Sequence, residues 1–194
     1  MEHFHSTIGG WCSFAKLYAR MVAEAPKDRE SRFVEVGSWL GRSAAYMAVE
    51  IINSGKPILF DCVDPWDDGG PDLKHKVVKM KEPIYTQFLR NIAPVAHVVR
   101  HHKVASPAAA ALFEDQSLDF VMIDGSHQYA DVVADIAAWK PKIRKGGVLA
   151  GDDYNWSGVS RAVCEAFANG SVLIEATKKQ PKQGSNPRFW SVRL

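Results

Sequence analysis

The chain has 194 residues, 46% apolar and 24% charged; these are ordinary globular proportions that exclude disorder, collagen and coiled coil as the main architecture. Its 24 Lys and Arg against 22 Asp and Glu leave a formal charge of +2, which gives no electrostatic reason to expect a nucleic-acid or membrane-surface partner. No run approaches the roughly 18 apolar residues of a membrane span, and MEHFHSTIGGW lacks a basic segment followed by an apolar one, so neither an anchor nor a signal peptide is expected.

The cysteines Cys12, Cys62 and Cys164 are odd in number, far apart and free of any CxxC spacing. They read as buried free thiols, and the expected compartment is the reducing cytoplasm. The basic end (Lys178, Lys179, Lys182, Arg188, Arg193) reads as a solvated loop and strand edge. No repeat or linker divides the chain, so residues 1–194 are expected to form a single domain.

In chain order, helical spacing of Ile8, Trp11, Phe14, Ala15, Tyr18, Met21 and Val22 predicts an N-terminal helix within residues 1–30, its aromatics serving as packing. A strand over 32–36 leads through a glycine turn to a helix over 42–53, closed by Ser54-Gly55. A strand over 58–63 ends at Asp64-Pro65, where proline cannot continue a central ladder. Residues 66–82 are polar and punctuated by Gly and Pro, which predicts a mobile loop able to close over a site. A helix over 83–92, a strand over 97–104 and a short Ala-rich helix from Ser106-Pro107 follow. The continuous apolar run 118–123 predicts a strand buried on both faces. A helix over 129–143, a strand over 147–150, a helix over 159–168, and strands over 172–177 and 189–193 joined by a polar loop complete the order. Strands alternating with helices and ending in a hairpin predict an α/β, Rossmann-like doubly wound sheet of seven strands, mostly parallel with a C-terminal antiparallel hairpin.

In such sheets ligands bind beyond the carboxyl ends of the strands. After the first strand comes Glu35-Val36-Gly37-Ser38-Trp39-Leu40-Gly41, whose glycines allow close backbone approach to a ligand at a helix N-terminus. The bulky Trp-Leu pair makes this a poor pyrophosphate site; a ligand carrying a carboxylate and an ammonium suits Glu35 and the turn amides better. Asp64, ending the second strand, is placed to accept ribose hydroxyls. The fourth strand runs into Asp124-Gly125-Ser126-His127 and the fifth into Asp152-Asp153. Neighbouring strands would gather three carboxylates at one edge, and a divalent cation with oxygen ligands answers their repulsion; helix and turn capping is the simpler role for the same residues. His127 reaches the same cavity, whereas His3 and His5 read as a frayed terminus and His75, His97, His101 and His102 as solvated or packing residues.

At these residues the sequence resembles the class I S-adenosylmethionine-dependent methyltransferases. EVGSWLGRSAAYMA resembles the first motif of the catechol O-methyltransferase type, and IDGSHQYADVVADIAAWKPKIRKGGVLAGDDYNWSGVSRAV is similar to the macrocin-type small-molecule O-methyltransferases. The resemblance runs from about Arg32 to the C-terminus and is thin between residues 66 and 104. It implies that Glu35, Gly37 and Ser38, with Ser43 nearby, hold the methionine end of the cofactor, that Asp64 holds the ribose, and that Ser106 contacts adenine. Asp124 would border the cofactor and, with Asp152 and Asp153, bind Mg²⁺ or Mn²⁺. His127 occupies the position of the general base. The expected reaction is methyl transfer to a hydroxyl of a small molecule: a sugar, a macrolide or a catechol-like diol.

A metal-free transferase acting on nitrogen or nucleic acid is the alternative, but the sequence has no Asn/Asp-Pro-Pro-aromatic segment. A non-catalytic S-adenosylmethionine-binding protein would need no carboxylate cluster, and a nicotinamide oxidoreductase would need another glycine spacing. No nucleic-acid or membrane partner is expected. Acceptor-binding elements in this family often precede the first strand, where only one helix is predicted, so the acceptor and a homo-oligomeric state stay open. Trp66, Tyr154 and Trp156 flank the site, either as ring-stacking residues or as rim packing.

Overall fold

Alternation with a period of two along the central strands decides the architecture. Phe33, Phe120, Met122 and Val148 join one buried cluster, while their chain neighbours Val34, Val121, Ile123 and Leu149 join a second on the opposite face. Both faces of the sheet are therefore apolar, and each demands a layer of helices. In the computed structural model, which describes residues 1–67, 82–167, 171–176 and 188–194, those layers are present.

The strands are β1 (Ser31–Val36), β2 (Ile58–Asp64), β3 (Val99–Lys103), β4 (Leu118–Ile123), β5 (Ile143–Gly151), β6 (Leu173–Ala176) and β7 (Arg188–Arg193). The helices are α1 (Ala15–Glu24), α2 (Arg42–Ser54), α3 (Ile84–Ile92), α4 (Ser106–Ala110), α5 (Tyr129–Trp139) and α6 (Ser157–Ala166). Helices α1 to α3 feed the first cluster and α4 to α6 the second. The sheet has seven strands in the order β3-β2-β1-β4-β5-β7-β6, parallel except for β7, which runs antiparallel to both β5 and β6. This is the doubly wound, Rossmann-like sheet expected from the sequence, and its strand order reverses between β1 and β4.

Several expectations need correction. The helix predicted to reach residue 143 ends at Trp139, because Pro141 cannot continue it; a 3-10 turn over Lys140–Lys142 leads directly into β5. β5 thus starts at Ile143, four residues before the predicted strand. Its register against β4 jumps between the Leu118 and Phe120 pairings, with Gly146 at φ 80° in the extra residues. α1 begins only at Ala15, preceded by a 3-10 turn over His5–Thr7. The terminus is not frayed: His3 lies 2.7 Å from Glu50 and stacks on Tyr46, and the Met1 ammonium donates to Asn53. Cys62 is buried, but Cys12 is half-buried and Cys164 exposed, so the uniform burial expected for the thiols does not hold. Lys178, Lys179, Lys182, His75 and most of the predicted 66–82 loop lie outside the described residues. Among the described residues, no helix is long and apolar enough to cross a membrane.

One buried acid stands apart in the second layer. Asp135 of α5 is 4% exposed, and burial pushes its carboxyl up to about 6 against the opposing pull of the Ser106 hydroxyl. The folded protein then holds this proton more tightly than the unfolded chain. Its contribution favours folding below about pH 4 and is lost as pH rises towards 6, on the order of 3 kcal/mol in all. Asp135→Asn is expected to remove that slope from urea denaturation midpoints measured between pH 4 and 6. An unchanged slope would contradict it.

Candidate active site

The reversal of strand order brings the ends of β1 and β4 together. The Asp124 amide donates to the Val36 carbonyl at 2.7 Å and the Gly37 amide to the Val63 carbonyl at 2.8 Å, so β1 is pinned on both sides where it ends. Gly37 has φ 90°, and a Cβ there would lie 2.1 Å from the Asp124 carbonyl oxygen; only glycine fits. On the far side of β4, the Asp152 amide donates to the Ile123 carbonyl at 3.1 Å. The three loops that carry the predicted residues therefore lie side by side.

Glu35 is fully buried beneath this edge. Its Oε2 accepts a 2.6 Å hydrogen bond from the Tyr18 hydroxyl, while Oε1 has no partner. Burial raises its carboxyl above the usual range, against the hydroxyls of Tyr18, Ser38 and Ser43. The Ser38 hydroxyl is buried too and, though near this carboxyl, makes no hydrogen bond of good geometry. Ser43, on the first turn of α2, is 4% exposed. A carboxylate oxygen and a hydroxyl left unsatisfied in the interior cost stability, and they mark a place shaped for a polar ligand.

Asp64 joins two loops. Its Oδ2 accepts from the Trp39 amide at 2.8 Å and its Oδ1 from the Trp66 amide at 2.6 Å, while the Trp66 indole donates to the Trp39 carbonyl at 2.8 Å. Burial raises this carboxyl, and the backbone amides pull the other way. The Ser38 amide adds a third such pull on the same carboxylate. Ser106 opens α4, and its hydroxyl accepts from the Trp139 indole at 2.9 Å.

The acidic residues separate into two groups. Ligand atoms of Asp124, His127 and Asp153 all lie within 4.8 Å of one another, and His127 Nε2 is 2.6 Å from Asp153 Oδ2. Asp152 lies outside that set: its Oδ2 accepts from the Ser13 hydroxyl and its Oδ1 is buried without a partner. Burial lifts the Asp124 carboxyl well above its ordinary value, helped by the charges of Asp152, Asp153 and Glu35, and lifts Asp152 to about 6. Asp153 has φ 53°, a left-handed conformation that turns its side chain towards His127. Asp124, His127 and Asp152 also line one small cavity with Gly125.

Of the three flanking aromatics, Trp66 is 3% exposed, packed on Phe88 and Tyr85. The Tyr154 hydroxyl pairs with the Cys164 sulfur at 3.3 Å. Trp156 alone faces outward while touching the cluster, its ring stacked on His127.

Sequence reasoning missed the contribution of the N-terminal segment. Arg42 donates to the carbonyls of Ile8 and Gly10, Trp11 stacks on Trp39, Ser13 holds Asp152, and Tyr18 holds Glu35. A helical hydrophobic pattern explains the burial of Tyr18, but nothing local in the sequence signals a partner 17 residues on, or one 139 residues on for Ser13.

The model of a family described as a methyltransferase domain matches residues 34–154, from β1 through the turn after β5. The chain belongs to this methyltransferase-domain family. No curated protein sequence matches it. Among solved structures it is similar to cofactor-bound Rv0187 from MTB, with a TM-score of 0.66 and 15% identity over 95% of this chain and 81% of that one. It is also similar to TrmN from Thermus thermophilus, with a TM-score of 0.65 and 12% identity over 98% of this chain, which spans only 51% of that protein. The O-methyltransferase NovP aligns with a TM-score of 0.62 and 17% identity, covering 94% and 80% of the two chains. At such identities the likeness is one of fold.

The Tyr18–Glu35 bond gives this methyltransferase domain a direct test of its buried acid. Tyr18→Phe strands a carboxylate oxygen in the interior and is expected to cost about 1–3 kcal/mol in urea unfolding at pH 7. A loss within ~0.5 kcal/mol, the range of an ordinary surface change, would mean that this bond contributes nothing to the fold.

Proposed function

We propose that this chain transfers the methyl group of S-adenosylmethionine to a hydroxyl of a small molecule with adjacent hydroxyls (a sugar, a macrolide or a catechol-like diol), assisted by Mg²⁺ or Mn²⁺. The observation that carries the reading is the convergence of Asp124, His127 and Asp153 within 4.8 Å beside the strand-order reversal. The residues fit the cofactor. The unpartnered Glu35 Oε1 matches an ammonium, Ser38 and the α2 N-terminus with Ser43 match a carboxylate, and Gly37 lets the ends of β1 and β4 close together beside them. Asp64, at the end of β2, is assigned to the ribose hydroxyls, and Ser106, at the start of α4, to adenine. Asp124 and Asp153, with Asp152 beside them, offer the hard oxygen donors a small divalent cation prefers.

When bound, the cofactor supplies an electrophilic methyl on a sulfonium, and the cation supplies positive charge beside the oxygen that attacks it. The chain's own residues align the acceptor and handle its proton. His127 takes the hydroxyl proton as general base on its other ring nitrogen, while Nε2, 2.6 Å from Asp153 Oδ2, donates to that carboxylate, which stabilises the resulting imidazolium. The displacement is in line, so holding donor and acceptor on fixed strand ends supplies much of the rate.

Mn²⁺ titration of protein saturated with S-adenosylhomocysteine tests this reading. Asp153→Asn is expected to weaken Mn²⁺ at least about 10-fold while S-adenosylhomocysteine affinity stays within about 2-fold. Equal Mn²⁺ binding by the variant, or none by the wild type, sinks the metal-assisted mechanism; parallel loss of cofactor binding would make Asp153 structural. His127→Ala is expected to lower kcat by about 100-fold or more with Mn²⁺ affinity retained. Loss of Mn²⁺ in that variant would make His127 a ligand instead of the base.

A further inference from the structure

Asp152 is the acid whose part in the cluster its spacing leaves open. It is 8% exposed and lines the same small cavity as Asp124 and His127, yet it stands outside the set of donor atoms that lie within 4.8 Å of one another. Its side chain is held from outside the sheet. Oδ2 accepts from the Ser13 hydroxyl, and Oδ1 is buried without a partner. Turning the carboxylate would break the Ser13 bond, so Oδ1 is the acceptor left for whatever enters the cavity. An oxygen left unsatisfied in this way costs stability until a cation or a donor meets it.

Ser13 is itself fixed from two sides. It immediately precedes Phe14, the fully buried capping residue of α1, whose carbonyl accepts from the Leu17 and Tyr18 amides. On the other side Arg42 donates to the carbonyls of Ile8 and Gly10, and Trp11 stacks on Trp39 with ring centroids 5.5 Å apart and planes 17° apart. Gly10 has φ 111°, and a Cβ there would lie 2.8 Å from the Trp39 ring. Residues 8–13 therefore form a strap tied to the start of α2 at one end and to α1 at the other. From that strap the Ser13 hydroxyl reaches the loop after β5.

We infer that Ser13 is a positioning residue for the cation: by holding Asp152 Oδ2 it keeps Oδ1 turned to the acidic cavity, where this carboxylate adds its charge to those of Asp124 and Asp153. Carboxylates that serve a metal are commonly oriented by a hydrogen bond of their own, and removing that partner costs about 10–100-fold in metal affinity. The inference rests on the metal-assisted reading above. It gives a part in that reading to a segment outside residues 34–154, the stretch matched by the family model.

The test is Mn²⁺ titration of protein saturated with S-adenosylhomocysteine, with S-adenosylhomocysteine affinity measured in parallel. Ser13→Ala is expected to weaken Mn²⁺ by about 10-fold or more, while Ser13→Thr, which keeps the hydroxyl, stays within about 3-fold of wild type. S-adenosylhomocysteine affinity should remain within about 2-fold in both variants. Unchanged Mn²⁺ affinity in the alanine variant, or an equal loss in the threonine variant, overturns the positioning role alone. Parallel loss of Mn²⁺ and S-adenosylhomocysteine in the alanine variant also overturns it, since Ser13 would then only anchor the strap. Absence of Mn²⁺ binding by the wild type overturns the metal-assisted reading and this role with it.

Discussion

Where β1 ends against β4, the Gly37 backbone and the Asp124 carbonyl come so close that no side chain fits between them. Everything proposed for the site depends on that approach. It places the fully buried Glu35, on the same face of β1 as Phe33, under the same edge as Asp124. The neighbouring ladders hold the geometry rigidly, since the end of β1 is hydrogen-bonded to both β2 and β4. A site built on strand ends is more precise than one carried by free loops.

The electrostatic cost of that arrangement is visible. Glu35, Asp64, Asp124 and Asp152 are all pushed up by burial, and Asp124 and Asp152 are raised further by neighbouring carboxylates. A fold selected only for stability would place apolar residues there, or pair every acid with a base. Tyr18 and Ser13 each satisfy one oxygen of a buried carboxylate and leave the other without a partner. An ammonium against Glu35 and a cation between Asp124 and Asp153 would relieve the two ends of this acidic trough separately, so the same ligands that perform the chemistry would also stabilise the fold.

The seven-stranded order was legible because alternation, apolar runs and glycine turns are local signals, and the β4 run buried on both faces is the clearest of them. Glu35, Asp64, Asp124 and Asp153 were legible because each lies at or just beyond the end of a strand. What escaped has a common cause. The early start of β5 depends on a bulge against β4, the partners of Tyr18 and Ser13 depend on tertiary packing, and the anchoring of His3 to Glu50 and Tyr46 depends on how residues before α1 lie along α2. The acidic set also shifted in detail. Sequence spacing treats Asp152 and Asp153 alike, but successive residues point opposite ways, and it is Asp153 that turns to His127 while Asp152 turns to Ser13.

The backbone carries a second sign of where function sits. Among the described non-glycine residues, four have positive φ: Trp39, Trp66, Gln116 and Asp153. Three of these belong to the site. Left-handed backbone at such residues costs of order 1–3 kcal/mol each and persists only where neighbours impose it. Asp64 imposes it twice, binding the amides of both tryptophans, and the Trp66 indole closes the arrangement on the Trp39 carbonyl. Trp39 in turn supports Trp11, two residues before the Ser13 that holds Asp152. The acid assigned to the cofactor's ribose and the acids assigned to the cation are thereby joined through one run of direct contacts. A change in how Asp64 is engaged has a physical route to the far side of the site through the strained loop and the segment leading into α1.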